Sequence, residues 1–320
     1  MKRRHFVALA AGAAMAPLLA HGQQPRALPT IAVLLIGGRE PFLTLFRDGL
    51  RDHGYVEGQN ILIELRSSEG QGNRLPALAA ELAQLGPRIM VASETPAVVA
   101  ARQAVAPDLP IVMAAAGDPV GTGLIASLAR PGGNITGLSA ATAEIAGKSL
   151  ELLREIKPDA RRVAVLALAG NLLTKPFLEQ IEKVGAALKI EIVPALVRGA
   201  DDFETAFANM IRDGAEAVIV QPSVPHRRPI ELALQHRMPS ISGTRSFPEA
   251  GGFLSYAGNL TERYRGAATY VAEILKGRAP ADLPVSQPTT FELVINLKTA
   301  RALGIEVPPT LLARADTVIE

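Results

Sequence analysis

The chain of 320 residues contains no cysteine and no tryptophan, and aromatic residues make up only 4% of it. Without cysteine it cannot hold a disulfide framework or a thiolate metal site, and it cannot carry a lipid on an N-terminal cysteine. Beyond the first residues, no run approaches the roughly 18 continuous apolar residues of a membrane-spanning helix. Neither a P-loop nor a GxSxG nucleophile motif is present. His53, His226 and His236 stand at no metal-ligand spacing, so no metal or other cofactor is expected. Gly121-Thr122-Gly123-Leu124-Ile125-Ala126 fits the loose GxGxxA form of a dinucleotide fingerprint. Asp118-Pro119 intervenes, however, and no acidic residue ends a following strand at the needed distance. A strong excess of either charge is lacking too. The formal net charge is +2, with Lys2, Arg3 and Arg4 among the positives, and without those three it is about −1. Nucleic acid is therefore not an expected partner, and Arg227-Arg228 is too short a basic run to change that.

What is present begins with an address. Lys2-Arg3-Arg4 precedes an apolar core, and Ala20 and Gly22 supply small residues ahead of a cut before Gln23. These are the three regions of a secretory signal, predicted to span residues 1–22. Arg3-Arg4-His5-Phe6-Val7 also resembles a twin-arginine export motif, leaving the export route open. The predicted location is the periplasm.

The rest of the chain is organised around the stretch from Ile111 to Ser139. It opens as a buried parallel strand and stops at Gly117-Asp118-Pro119, where ligands of open α/β sheets usually sit. A helix is predicted next, then a second strand from Ile135 to Leu138 that leaves one domain for another. Before this stretch, Ile31–Ile36, Ile61–Leu65 and Ile89–Ala92 read as strands alternating with amphipathic helices. After it the same rhythm restarts, with strands at Val163–Leu168, Ile190–Leu196 and Ala217–Val220. The pattern predicts an α/β protein of two doubly wound parallel-sheet lobes.

Several long stretches then carry a family resemblance. Among them are FRDGLRDHGYVEGQNILIELR, GDPVGTGLIASLARPGGNITGLS and YVAEILKGRAPADLPVSQPTTFELVINLKTARALG. They resemble the substrate-binding proteins of ABC transporters, in the branch related to the tryptophan- and tyrosine-binding components. The resemblance implies the type I periplasmic-binding-protein fold, with lobes joined by crossing strands and closing on a ligand. On that basis lobe 1 is expected to comprise residues 30–139 plus 253–288, and lobe 2 residues 140–252 plus 289–320. It implies a monomer that binds a small organic ligand, amino-acid-like or aromatic, and hands it to ABC permease membrane subunits. Two alternatives stand beside this: a ligand sensor for a signalling partner, and an exported α/β enzyme. The second would need an activated nucleophile or acid–base set that the sequence does not display.

Expected ligand contacts lie on strand-end loops: Glu40, Ser93, Thr95 and Asp118 in the first lobe, Asn171 and Gln221 in the second, and Tyr256 after a later strand. The Glu40-Pro41, Thr95-Pro96 and Asp118-Pro119 turns match those of the related amino-acid binders. Asp118 suits a ligand ammonium, but it equally suits a cap or turn. Thr95 before a proline is also an ordinary helix cap. Where the amino-acid binders carry an Asp-Asn turn, this chain has Gln221-Pro222-Ser223. The ligand is therefore open at this stage.

Overall fold

The computed structural model describes residues 28–320, so the predicted leader at 1–22 lies outside the described residues. Two sheets organise the chain. The first holds β1 (Thr30–Leu35), β2 (Leu62–Ser67), β3 (Ile89–Ala92), β4 (Ile111–Ala116) and β5 (Ile135–Ser139), all parallel, in the order β2-β1-β3-β4-β5. Helices α1 (Phe42–Asp52), α2 (Leu75–Gln84) and α3 (Glu94–Ala104) connect its first four strands.

The second sheet holds β6 (Arg162–Leu168), β7 (Glu191–Val197), β8 (Ala217–Val220), β9 (Ser240–Ser242), β10 (Leu254–Gly258), β11 (Phe291–Asn296) and β12 (Thr317–Ile319). Its order is β12-β11-β10-β9-β8-β6-β7, with β11 antiparallel to β10. Helices α4 (Thr142–Ile156), α5 (Thr174–Leu188), α6 (Phe203–Arg212), α7 (Arg227–Gln235) and the short α8 (Ser246–Glu249) belong to its connections. The sixteen-residue α9 (Leu260–Leu275) follows β10, and α10 (Leu297–Leu303) and α11 (Pro309–Leu312) complete the tail. The run β7-β6-β8-β9-β10 repeats the order of the first sheet, so the chain builds one winding twice.

Period-two alternation explains why both sheets are covered on both faces. Ile31, Val33 and Leu35 pack with Phe46, Leu50 and Val271 on one side of β1, while Ala32 and Leu34 pack with Leu78 and Leu82 on the other. In β6, Val163 and Val165 face one core and Ala164 and Leu166 the other. Each fully buried Ile, Leu or Phe contributes about 1.5–3 kcal/mol relative to exposure. Continuous burial of this kind is what the short apolar runs announced.

Two sequence expectations need correction. No helix follows Asp118; residues 119–129 form turns and bends. The Asp118 carboxylate accepts the Gly121 N–H at 2.9 Å and closes a turn, and Pro119, Gly121 and Gly123 then oppose a helical run. The second correction concerns residues 253–258, expected in the first lobe. Strand β10 pairs with β9 and β11 in the second sheet, and Phe253 and Leu254 are fully buried in that sheet's core. The return begins instead with α9, which lies along α1 on the first sheet. The two helices approach so closely at Gly49 that a Cβ there would meet the Arg265 carbonyl oxygen at 2.8 Å.

The chain crosses between the sheets after β5, between β10 and α9, and ahead of β11. These segments are tied together. The Ser139 N–H donates to the Ser286 carbonyl at 2.8 Å, and the Asn259 N–H donates to the Thr290 carbonyl at 2.9 Å. Asn259 also caps α9, its side-chain oxygen accepting the Glu262 N–H at 2.8 Å. The Glu262 carboxylate in turn accepts the N–H and hydroxyl of both Thr289 and Thr290. Burial opposes ionisation of Glu262, but these bonds prevail and hold its pKa below the usual carboxylate value.

Candidate functional site

At the carboxyl ends of the central strands the two lobes face one another across a cleft of about 850 Å³, counting its open mouth. The first lobe contributes Glu94, Thr95, Ala115, Gly117 and Arg263 to the walls. From the second come Thr142, Asn171, Gln221, Ser223 and Thr244, and an apolar recess of Ile145, Ala146, Leu173, Phe177 and Ile219.

Three expected residues meet here. Thr95 is buried, and its hydroxyl oxygen accepts the Gly117 N–H at 3.0 Å, joining the loops after β3 and β4. Asn171 donates from its amide nitrogen to the Ser223 hydroxyl at 3.0 Å and accepts the Leu173 N–H at 2.8 Å. Gln221, only 1% exposed, accepts the Leu168 N–H at 3.0 Å and donates to the Thr174 hydroxyl at 3.2 Å. These amides shape the second-lobe loops through their own bonds, as buried polar groups must.

Four expected residues do not line the cleft. Glu40 is exposed and accepts the Thr44 N–H at 3.2 Å in the first turn of α1. Ser93 is buried, and its N–H donates to the Leu34 carbonyl at 3.0 Å. Asp118 turns its carboxylate onto Gly121, the capping role that its position equally suited. Tyr256 stacks on Phe291, with ring centroids 5.4 Å apart and planes at 11°, and packs against the second-lobe core.

The charged groups of the cleft are ones the sequence reading passed over. Glu94 sits between two expected residues, at the first position of α3, with φ of +63°. Its side chain is open to the cleft solvent yet hemmed in by protein, so desolvation raises its pKa, while the positive charge of Arg263 pulls it back down. A left-handed conformation costs a side-chain-bearing residue about 1–2 kcal/mol, and such strain tends to collect at functional sites. Ala115, at the register shift between β4 and β5, and Ala141, at the first crossing, also have positive φ, of 157° and 49°. Arg263 comes from the first turn of α9 and lies over the Tyr264 ring, 5.7 Å from its centroid. Its Nε is buried without a hydrogen-bond partner, and among the described residues no ion pair joins it to Glu94. Glu94 could have been suspected from its place before Thr95-Pro96. Arg263 had no local signal, because only the return of α9 to the first sheet brings it near.

The lobes already touch beside the recess. A Cβ built on Gly117 would lie 2.5 Å from a Leu173 methyl group, so a side chain there would push the Leu173 side chain aside. Among the described residues, no group of three or more His, Asp or Glu could hold a metal ion.

With the geometry in place, comparison with known proteins decides the family. Residues 38–319 match the model of the ABC transporter substrate binding proteins. The chain belongs to that family. It is 25% identical over 266 residues to a tyrosine-binding protein of Clostridioides difficile (strain R20291), covering 82% of this chain and 76% of that one. A conserved domain protein from Vibrio cholerae superposes with a TM-score of 0.82 at 28% identity, over 91% of this chain and 99% of its own. The ABC domain from Streptococcus pneumoniae in complex with L-Trp gives 0.81 at 25% identity, over 92% and 100%. The fold is the type I periplasmic-binding-protein fold expected from the resemblance, and the family is one of solute binders, not of enzymes. No helix of the described residues is long and apolar enough to cross a membrane.

One pH effect arises beside the second-lobe wall. His226 follows the Gln221-Pro222-Ser223 loop and packs edge-on to Phe247 at 5.3 Å, and its buried Nε2 has no partner. Burial lowers its pKa from the ordinary 6.5, and a hydrogen bond to the Pro222 backbone offsets this in part. Below pH 6.5 the unfolded chain therefore takes up a proton that the folded one refuses, and stability falls as the pH drops toward the folded-state value. Urea midpoints measured between pH 7.5 and 5.5 should fall less steeply in His226→Gln than in the parent. Parallel curves would remove His226 from the acid response.

Proposed function

We propose that the protein is exported, captures a small zwitterion with an apolar side chain between its lobes, and delivers it to ABC permease subunits. An α-amino acid or close analogue has this chemistry. The observation that carries the reading is that Glu94 and Arg263, not paired with each other, line the same cleft as the apolar recess of Ile145, Phe177 and Ile219. Glu94 would take the ligand ammonium and Arg263 its carboxylate, through charge-assisted hydrogen bonds. The side chain would enter the recess by Phe177 and Ile219, losing water as it does so. Thr95, Asn171 and Ser223 would meet remaining polar atoms. The tyrosine-binding and L-Trp-bound relatives support an amino-acid ligand.

No bond is made or broken in this scheme. The ligand stabilises the closed arrangement because only there do both lobes contact it. The Lys2-Arg3-Arg4 leader supports a periplasmic location, and one copy of the chain supplies the whole cleft, in keeping with a monomer. The test is a thermal-shift screen of the mature chain against L-leucine, L-phenylalanine, L-tyrosine and L-tryptophan, followed by calorimetry. At least one should raise the melting temperature in a concentration-dependent way. If all four leave it unmoved at millimolar concentration while the protein is folded, the zwitterion reading fails.

A further inference from the structure

We propose that the cleft carries a second, apolar subsite at its outer lip, and that the ligand it fits is a short apolar peptide, the smallest being a dipeptide. This rests on the Glu94–Arg263 reading above and extends it.

The lip is a groove of about 700 Å³, counting its open side. On the first lobe it is walled by Leu75 and Pro76 of α2 and by Val99 of α3, and across the gap stands Leu172. It is continuous with the main cleft, since Thr95, Pro96 and Asn171 border both. Leu172 is 55% exposed, the highest value among the large apolar side chains that the described residues leave in solvent. Scattered exposed leucines are ordinary, but this one faces an apolar wall on the opposite lobe at the edge of a binding site.

The groove is not a gap waiting for the lobes to meet. Leu173, the next residue, already rests against Gly117, so the two lobes are in contact immediately beside the groove. The space beside Leu172 therefore persists while the neighbouring residues are in contact. A single amino acid with its side chain in the Phe177 recess leaves this space to water. A dipeptide presents one ammonium, one carboxylate and two side chains, which matches Glu94, Arg263 and the two apolar ends.

Calorimetry on the mature chain should compare L-leucine and L-phenylalanine with Leu-Leu, Phe-Leu and Leu-Phe. At least one dipeptide is expected to bind tenfold or more tightly than either amino acid. Leu172→Asp, at an exposed position, should remove that advantage while changing amino-acid affinity less than twofold. Pro76→Asp, on the opposite wall and at a helix start that tolerates an acid, should do the same. If the amino acids bind and all three dipeptides bind no better, the subsite is wrong and the zwitterion reading stands. If dipeptides bind better but neither variant affects them, the extension lies elsewhere and the subsite is again wrong. If nothing in this panel binds, the subsite is wrong, and the zwitterion reading falls with it only if L-tyrosine and L-tryptophan also fail to bind.

Discussion

Arg263→Ala is expected to weaken binding of L-phenylalanine by about 100-fold while the protein remains folded. The loss follows from leaving a ligand carboxylate desolvated with no cation beside it, which costs about 2–5 kcal/mol, at 1.4 kcal/mol per decade of affinity. The fold should tolerate the change because the Arg263 side chain has no ion pair among the described residues and its Nε is already unpartnered. What it gives up locally is its position over Tyr264, worth about 0.5–1 kcal/mol. Arg263→Lys should recover part of the affinity, since a point charge replaces a two-pronged donor. Titration calorimetry of the three proteins, with urea unfolding in parallel, makes the comparison. Equal affinity of Arg263→Ala and the parent would remove the arginine from the site.

Glu94→Gly is expected to move stability and affinity in opposite directions. Glu94 holds a φ of +63°, and the protein around its carboxylate opposes ionisation. Glycine relieves the backbone strain but adds freedom to the unfolded chain, so the net gain in stability should be about 0.5–1 kcal/mol. Affinity for a zwitterionic ligand should fall by about 100-fold as its ammonium loses its partner. A structural role for Glu94 would show the reverse, a less stable protein that still binds. Acetylated L-phenylalanine, which has no ammonium, should distinguish the two proteins far less than L-phenylalanine does.

The fold was largely legible in the sequence because its strands are buried on both faces and read as short apolar runs between turn residues. β1, β3, β4 and β6 lie at or within a residue or so of where those runs placed them. The misreadings share a cause. Leu124 and Ile125 look like the apolar side of a helix, and both are buried, but the Asp118 turn and its glycines bury them without helical backbone. Residues 253–258 gave no hint of which sheet they join, because a buried strand has the same composition in either. The site was half legible for the same reason. Loops at strand ends can be located from the strands, so Thr95, Asn171 and Gln221 do line the cleft. Which side chain on such a loop faces the cleft depends on backbone angles, and it fell to Glu94 in place of Ser93 or Asp118. Arg263 depends on a helix docking against α1 from far along the chain, a contact that no local pattern encodes.

The docking of α9 on α1 also constrains how the molecule comes into being. Ala267, Ala268, Val271 and Ile274 cover one face of the first sheet, yet they are synthesised after every strand of the second sheet except β11 and β12. The half that starts first thus lacks its covering until the half that starts later is nearly whole. A nascent chain halted before residue 260 would present a greasy, half-clad sheet to chaperones and proteases, so neither half can be cut out as a contiguous, self-sufficient fragment.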